Sequence, residues 1–211
     1  MNKVQSIEVE VGGKKIKIET GLLAKQAHGS VTVQLGETIV FSAVTATKTP
    51  REGIDFFPLQ VEYREKFYAA GRFPGGYFKR EGRPTEKEIL VARATDRPLR
   101  SLFPEGFYNE VQINCSLFCA DGENESDVLT INAASTALML SDIPFFGPVG
   151  AVRVGRIKGQ FAINPTHTEM AESDLNLIYV GTRDLPMMIE GTAKEISEAD
   201  MLAAMKAGQE A

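Results

Sequence analysis

The chain has 211 residues, 43% hydrophobic and 24% charged, with a formal net charge of −5. That suits one large domain or two small ones of an ordinary soluble globular protein. No stretch approaches the roughly 18 consecutive apolar residues of a membrane span. The N-terminus also lacks the charged, apolar and small-residue order of a signal peptide, so the expectation is a cytoplasmic protein with no membrane partner.

Residues 7–64 keep a strand-and-turn rhythm. Period-two alternation over 7–11 and 14–18 surrounds a Gly12-Gly13 turn, and alternation over 31–35 and 38–44 surrounds Gly36-Glu37, which predicts antiparallel hairpins. A further strand is expected over 54–63, giving at least five strands before any helix. Thr85 and Glu88 form a Thr-x-x-Glu capping box directly before the apolar run Ile89, Leu90, Val91, Ala92. The helix they open should stop near Arg97, because Pro98 lacks the N–H that a helix needs.

A strand follows over 110–119, then an acidic turn over 121–127, whose last residue, Asp127, is expected to cap a second helix running through Leu140. That turn lacks the ligand spacing of a calcium loop. Short strands are expected over 149–154, 160–163, 175–180 and 187–190, and a last helix over 197–209 starting at Ser197 with Asp200 three residues on. Strands, then helices, then strands again predict an α+β fold, a single domain over 1–211 with helices packed mainly on one side of a mixed sheet.

Cys115 and Cys119 lie four apart on a predicted strand, so their Cα atoms would be about 13 Å apart at ~3.3 Å per residue. A disulfide reaches only about 7 Å. With His28 and His167 far from them in sequence, no zinc cluster is expected, and no metal is assigned to this chain.

Charge is distributed unevenly. Seven of the eleven arginines fall between Arg64 and Arg100, a window with ten positive and five negative residues, while the rest of the chain carries −10. The centre of the window, residues 71–84, reads GRFPGGYFKREGRP. Tyr77 and Phe78 offer flat faces for base stacking, Lys79, Arg80 and Arg83 suit phosphates, and the glycines let the loop approach a polymer closely. The competing reading is a solvated loop whose aromatics tuck onto the core. Arg93 and Arg97 share a helical face and Arg100 follows Pro98, although Glu86, Glu88 and Asp96 are available to pair with them. A nucleotide-hydrolase phosphate loop is excluded, because Gly71 and Gly76 are followed by Tyr77-Phe78 and not by Lys-Ser/Thr.

The run GGYFKREGRPTEKEILVARATDRPLRSLFPEGF over 75–107 resembles the first ribonuclease-PH-like module of the bacterial polynucleotide phosphorylase family. The likeness extends to 7–35, 55–63, 121–140 and 189–191 with the closing helix. It implies a ribonuclease-PH-like α+β fold and a homotrimeric enzyme that degrades single-stranded RNA from its 3′ end with phosphate, releasing nucleoside diphosphates in a reversible reaction that serves mRNA decay. It further implies a second such module in the same polypeptide. The family's RNA-gripping loop maps onto Tyr77, Phe78, Lys79 and Arg80, with Phe-Phe-Arg-Arg usual there. Arg83, Arg93, Arg97 and Arg100 would steer the strand.

In the family the phosphate pocket, the carboxylates and the Mg2+ belong to the second module. Here the corresponding helix reads Ile131-Asn-Ala-Ala-Ser-Thr-Ala137, without the expected hydroxyls at Ala133 and Ala134, and Asp174 lacks its companion aspartate. The resemblance therefore implies a catalytically silent module with no catalytic residue of its own. The alternatives are a standalone phosphorolytic enzyme of the ribonuclease PH type and a mainly structural interface module.

Overall fold

The computed structural model describes residues 4–77 and 79–211. The chain starts as the expected meander: β1 (Gln5–Val11), β2 (Lys14–Thr20), β3 (Gly29–Leu35) and β4 (Thr38–Ala46) pair antiparallel in order. Alternation sends Val31, Val33 and Leu35 inward from β3 and Val40 and Val44 from β4.

The next two strands depart from the expectation. β5 (Leu59–Glu65) starts later than 54 and does not pair with β4. Instead β6 (Val111–Cys119) inserts between them, antiparallel to β4 and parallel to β5, giving the order β1-β2-β3-β4-β6-β5. A parallel neighbour needs a crossover, and the 3-10 turn Phe67–Ala70, the loop 71–84 and α1 (Glu86–Arg100) supply it. Both cysteines are free, and burial pushes the Cys115 thiol up to about 12.

Helix α1 opens as its sequence dictates. Thr85 Oγ1 accepts from the Glu88 N–H at 3.2 Å, and Glu88 Oε2 accepts from the Thr85 N–H at 2.6 Å. Its end differs from the expectation, because Pro98 lies inside the helix. Proline forfeits one hydrogen bond but holds a helical φ, and fully buried Leu99 beside it keeps the last turn packed.

In helix α2 (Asp127–Met139) Ser126 takes the N-cap position without a side-chain capping bond, so Asp127 is the first helical residue and not the cap. It is buried nearly all round: Leu129, Ile131, Ala133, Ala134 and Ala137 are all fully buried. The reason is a second, antiparallel sheet of order β10-β9-β7-β8, built from β7 (Gly150–Ile157), β8 (Gln160–Ile163), β9 (Leu175–Gly181) and β10 (Pro186–Ala193). Helix α2 lies between the two sheets, where a single mixed sheet was expected. Strand parity shows that both faces of the second sheet are covered. Ile178 and Val180 join the core around α2, while Leu175, Leu177 and Tyr179 form a separate cluster with Ala204 of α4 (Glu198–Glu210). The short helix α3 (His167–Ala171) has a capping box of its own, Thr166 with Glu169, that the sequence reading missed.

Close approach of α2 to β3 is set by Gly29, where an added Cβ would run into the Ala137 carbonyl oxygen. Gly29→Ala is expected to lower the free energy of unfolding by about 1–3 kcal/mol in a denaturant titration. Gly75→Ala, with nothing within 4 Å, should leave it unchanged within about 0.5 kcal/mol.

Candidate nucleic-acid interface

The basic window becomes three things: a loop, a groove and an anchor. The loop leaves the 3-10 turn at Gly71, which adopts φ 65°. Its far side is tied back by Glu81, whose Oε1 accepts from the Phe67 N–H at 3.2 Å and whose Oε2 lies 3.8 Å from Lys66 Nζ. Backbone N–H donors, its own and that of Phe67, together with Lys66 hold the Glu81 carboxyl below the usual range.

Within the loop, Lys79 takes φ 53° and its N–H donates to the Gly76 carbonyl at 3.0 Å. Lys79, Arg80 and Arg83 are exposed. Tyr77 is 93% exposed, so its ring is not tucked onto the core; Phe78 lies outside the described residues. Sequence reasoning passed over Phe73, which is 92% exposed beside Arg72. Its signal was an aromatic residue inside a glycine- and arginine-rich run.

Pro84, the loop's last residue, enters the wall of a groove of about 750 Å3 between β5 and α1. Arg93 and Arg97 line it from the exposed face of α1, and Arg64 lines it from β5. Arg64 was also missed, although its alternation with Glu62 on a strand places both on the outer face. Among the described residues neither Arg93 nor Arg97 forms an ion pair, whereas Glu88 is committed to backbone N–H groups and Asp96 to Arg100.

Arg100 is an anchor. Its Nε and Nη2 donate to Asp96 at 2.8 and 2.7 Å, its Nη1 to the Phe57 carbonyl at 2.9 Å and its Nη2 to the Leu59 carbonyl at 3.0 Å. The guanidinium also sits 5.7 Å from the Phe57 ring centre. Four of its five N–H donors are thus engaged within the chain.

A second polar cluster gathers at the start of α2. The Tyr63 hydroxyl is 2.6 Å from Ser126 Oγ and 2.9 Å from Glu65 Oε1, and burial pushes its pKa far up. Lys87 bridges Glu65 at 3.1 Å and Glu125 at 3.5 Å. Burial opposes its charge, yet the two carboxylates outweigh burial and hold the ammonium above the usual lysine range. Arg153 on β7 bonds Asp127 at the start of α2 and Asn176 on the neighbouring strand β9. Burial raises the Asp127 pKa against the attraction of Arg153.

Asp174 stands apart from this cluster, paired with Arg156 at 3.3 Å, and Ala133 and Ala134 are sealed in the core. Among the described residues no three His, Cys, Asp or Glu side chains converge as metal ligands. These carboxylates do not fit a Mg2+ ion, since Asp127 and Asp174 are each held by a guanidinium.

The model of the 3′ exoribonuclease family, domain 1, matches residues 12–144, and that of domain 2 matches residues 147–211. The chain belongs to the 3′ exoribonuclease family. Curated relatives named polyribonucleotide nucleotidyltransferase include those of Akkermansia muciniphila, 55% identical over 98% of this chain, and Chlorobaculum parvum, 58% identical over 97%. The chain spans only 29% and 28% of their respective lengths. Two solved structures share the fold: rice (Oryza sativa) Rrp46, with a TM-score of 0.69, 16% identity and coverage of 97% of this chain and 86% of that one, and the Archaeoglobus fulgidus exosome with RNA bound to the active site, with 0.70, 18%, 99% and 84%.

The geometry sorts the arginines by role. Arg100→Ala should lower the midpoint of thermal unfolding by several degrees, whereas Arg93→Ala and Arg97→Ala should stay within about 0.5 kcal/mol of the parent. Glu81→Gln should increase limited proteolysis within 71–84. Because the folded-state pKa of Glu81 is depressed, its contribution is present above the ordinary carboxylate range. The parent loop should likewise become more cleavable as pH falls through that depressed pKa.

Proposed function

We propose that this chain is the RNA-gripping, trimer-forming first module of a phosphate-dependent 3′-to-5′ exoribonuclease that releases nucleoside diphosphates in the cytoplasm. The observation that carries the reading is the outward-facing loop of Tyr77, Lys79 and Arg80, which leads through Pro84 into a groove whose Arg93 and Arg97 have no ion-pair partner among the described residues. Tyr77, with Phe78 beside it in sequence, stacks bases; Lys79, Arg80 and Arg83 hold phosphates; Arg93 and Arg97 carry the strand onward. Arg100 acts on RNA only indirectly, by fixing α1.

Such a module delivers substrate and does not transform it. Buried Asp127 is paired with Arg153 and half-exposed Asp174 with Arg156, so phosphate and Mg2+ are bound by a second ribonuclease-PH-like module of the same polypeptide.

Replacing Lys79 and Arg80 together by Ala should weaken binding of an oligoribonucleotide and reduce the slope of log K against log salt by about 1.4, at ~0.7 per phosphate contact on a single strand. Tyr77→Ala should cost about 1–3 kcal/mol with little change in that slope, because stacking releases no counterions. Incubated with RNA and phosphate, the chain should release no nucleoside diphosphate. Retained affinity and slope in the double variant would remove the RNA reading, and nucleoside diphosphate release would establish the standalone enzyme.

A further inference from the structure

Glu81 is the only acidic residue between Lys66 and Thr85, where it stands among Lys66, Arg72, Lys79, Arg80 and Arg83. A carboxylate in that company lies close to any phosphate its neighbours attract, so on charge alone it should weaken the binding of a polyanion. Its contacts point the other way.

The loop stands clear of the rest of the chain at its glycines: a Cβ added at Gly71, Gly75, Gly76 or Gly82 would meet nothing within 4 Å. Such a segment gains little from packing, and every residue fixed in it costs conformational entropy. Glu81 supplies a tie. One carboxylate oxygen accepts from the Phe67 N–H at 3.2 Å and the other lies 3.8 Å from Lys66 Nζ. The outgoing arm of the loop is thereby held to the returning arm, and the chain between Phe67 and Glu81 forms a closed ring.

Within that ring Lys79 takes a left-handed φ of 53°, and its N–H donates to the Gly76 carbonyl at 3.0 Å. A residue with a Cβ adopts that conformation at a cost, and keeps it only where the surrounding structure imposes it. The tie at Glu81 is part of that structure.

We propose that Glu81 is a positioning residue for RNA: by closing the ring it pre-arranges Tyr77, Lys79 and Arg80, and it strengthens the binding of a single strand in spite of its own negative charge. That role presupposes the RNA reading of the same loop. Two effects of opposite sign meet at this side chain. Repulsion of phosphate acts at the surface through water and salt, with a Debye length of about 8 Å at physiological ionic strength, and Lys66 offsets part of the charge. Ordering a loose loop is instead drawn from the binding energy of the complex, and salt does not screen that cost. Ordering is the larger of the two, so loss of Glu81 weakens binding.

The probe is a short fluorescein-labelled oligouridylate titrated into the chain and its variants. Glu81→Ala should bind it about fivefold more weakly than the parent, at low and at moderate salt alike, with an unchanged midpoint of thermal unfolding. Glu81→Gln keeps an oxygen for the Phe67 N–H but loses the ion pair, and its affinity should fall between the two. Glu86→Gln removes the same charge from the exposed first turn of α1 and should bind as tightly as the parent or more tightly. Exchange of the Phe67 amide should be slow in the parent with and without RNA, and fast in Glu81→Ala. Affinity in Glu81→Ala equal to or above that of the parent would overturn the positioning role. So would faster exchange of the Phe67 amide in the RNA complex, which would make Glu81 a latch that RNA opens. A parent that binds no oligouridylate removes the RNA reading and this role with it, whereas a parent and a Glu81→Ala variant that bind equally well remove the role alone.

Discussion

Helix α1 is fastened to the edge of the large sheet at two points, and the placement of Arg93 and Arg97 depends on that fastening. Glu88 holds the Glu65 N–H and Arg100 holds the Leu59 carbonyl. The two side chains are twelve residues apart on a helix, about 18 Å at ~1.5 Å per residue. Their targets are six residues apart on a strand, about 20 Å at ~3.3 Å per residue. Helix and strand thus run antiparallel in matched lengths, and the match fixes helix rotation. With Glu88 and Arg100 committed to the strand, Arg93 and Arg97 are left on the groove side.

The same fastening explains how an acidic chain keeps a basic surface. The window from Arg64 to Arg100 contains five acidic residues, and four of them are committed locally. Glu65 receives Tyr63 and Lys87, Glu81 ties down the loop, Glu88 caps α1, and Asp96 orients Arg100. Among the described residues none of these four forms an ion pair with Lys79, Arg83, Arg93 or Arg97. The acids in the window therefore build the scaffold that presents the cations, where composition alone would have suggested neutralisation.

What the sequence disclosed follows the range of the interactions. The hairpins of β1 to β4 and the Thr85–Glu88 capping box are local, with partners within a few residues, and they stand where alternation and spacing put them. The basic loop was legible for the same reason. Insertion of β6 between β4 and β5 was not, because parallel pairing across a long crossover leaves no local signature. Pro98 misled because its breaking effect was weighed without the burial of Leu99 that outweighs it. Arg100 stood in the sequence as one more cation, and only its contacts with Phe57 and Leu59, more than forty residues away, show an anchor. Asp127 looked like a cap because its partner Arg153 lies twenty-six residues on, in the second sheet.

That last pair bears on where this fold can hold an anion. A helix N-terminus attracts negative charge through its unpaired N–H groups and dipole, and α2 points its N-terminus into the cleft between the sheets. In this chain the position is already filled. Asp127 is the first residue of the helix, accepts from the Val128 N–H at 2.7 Å, and is neutralised by buried Arg153. A phosphate arriving there would have to displace a carboxylate from both the dipole and the guanidinium, and Glu65 and Glu125 on the rim would repel it. The N-terminus of α2 is self-satisfied, so recognition of a polyanion falls to groups outside it. Those are the exposed cations of the loop and of α1.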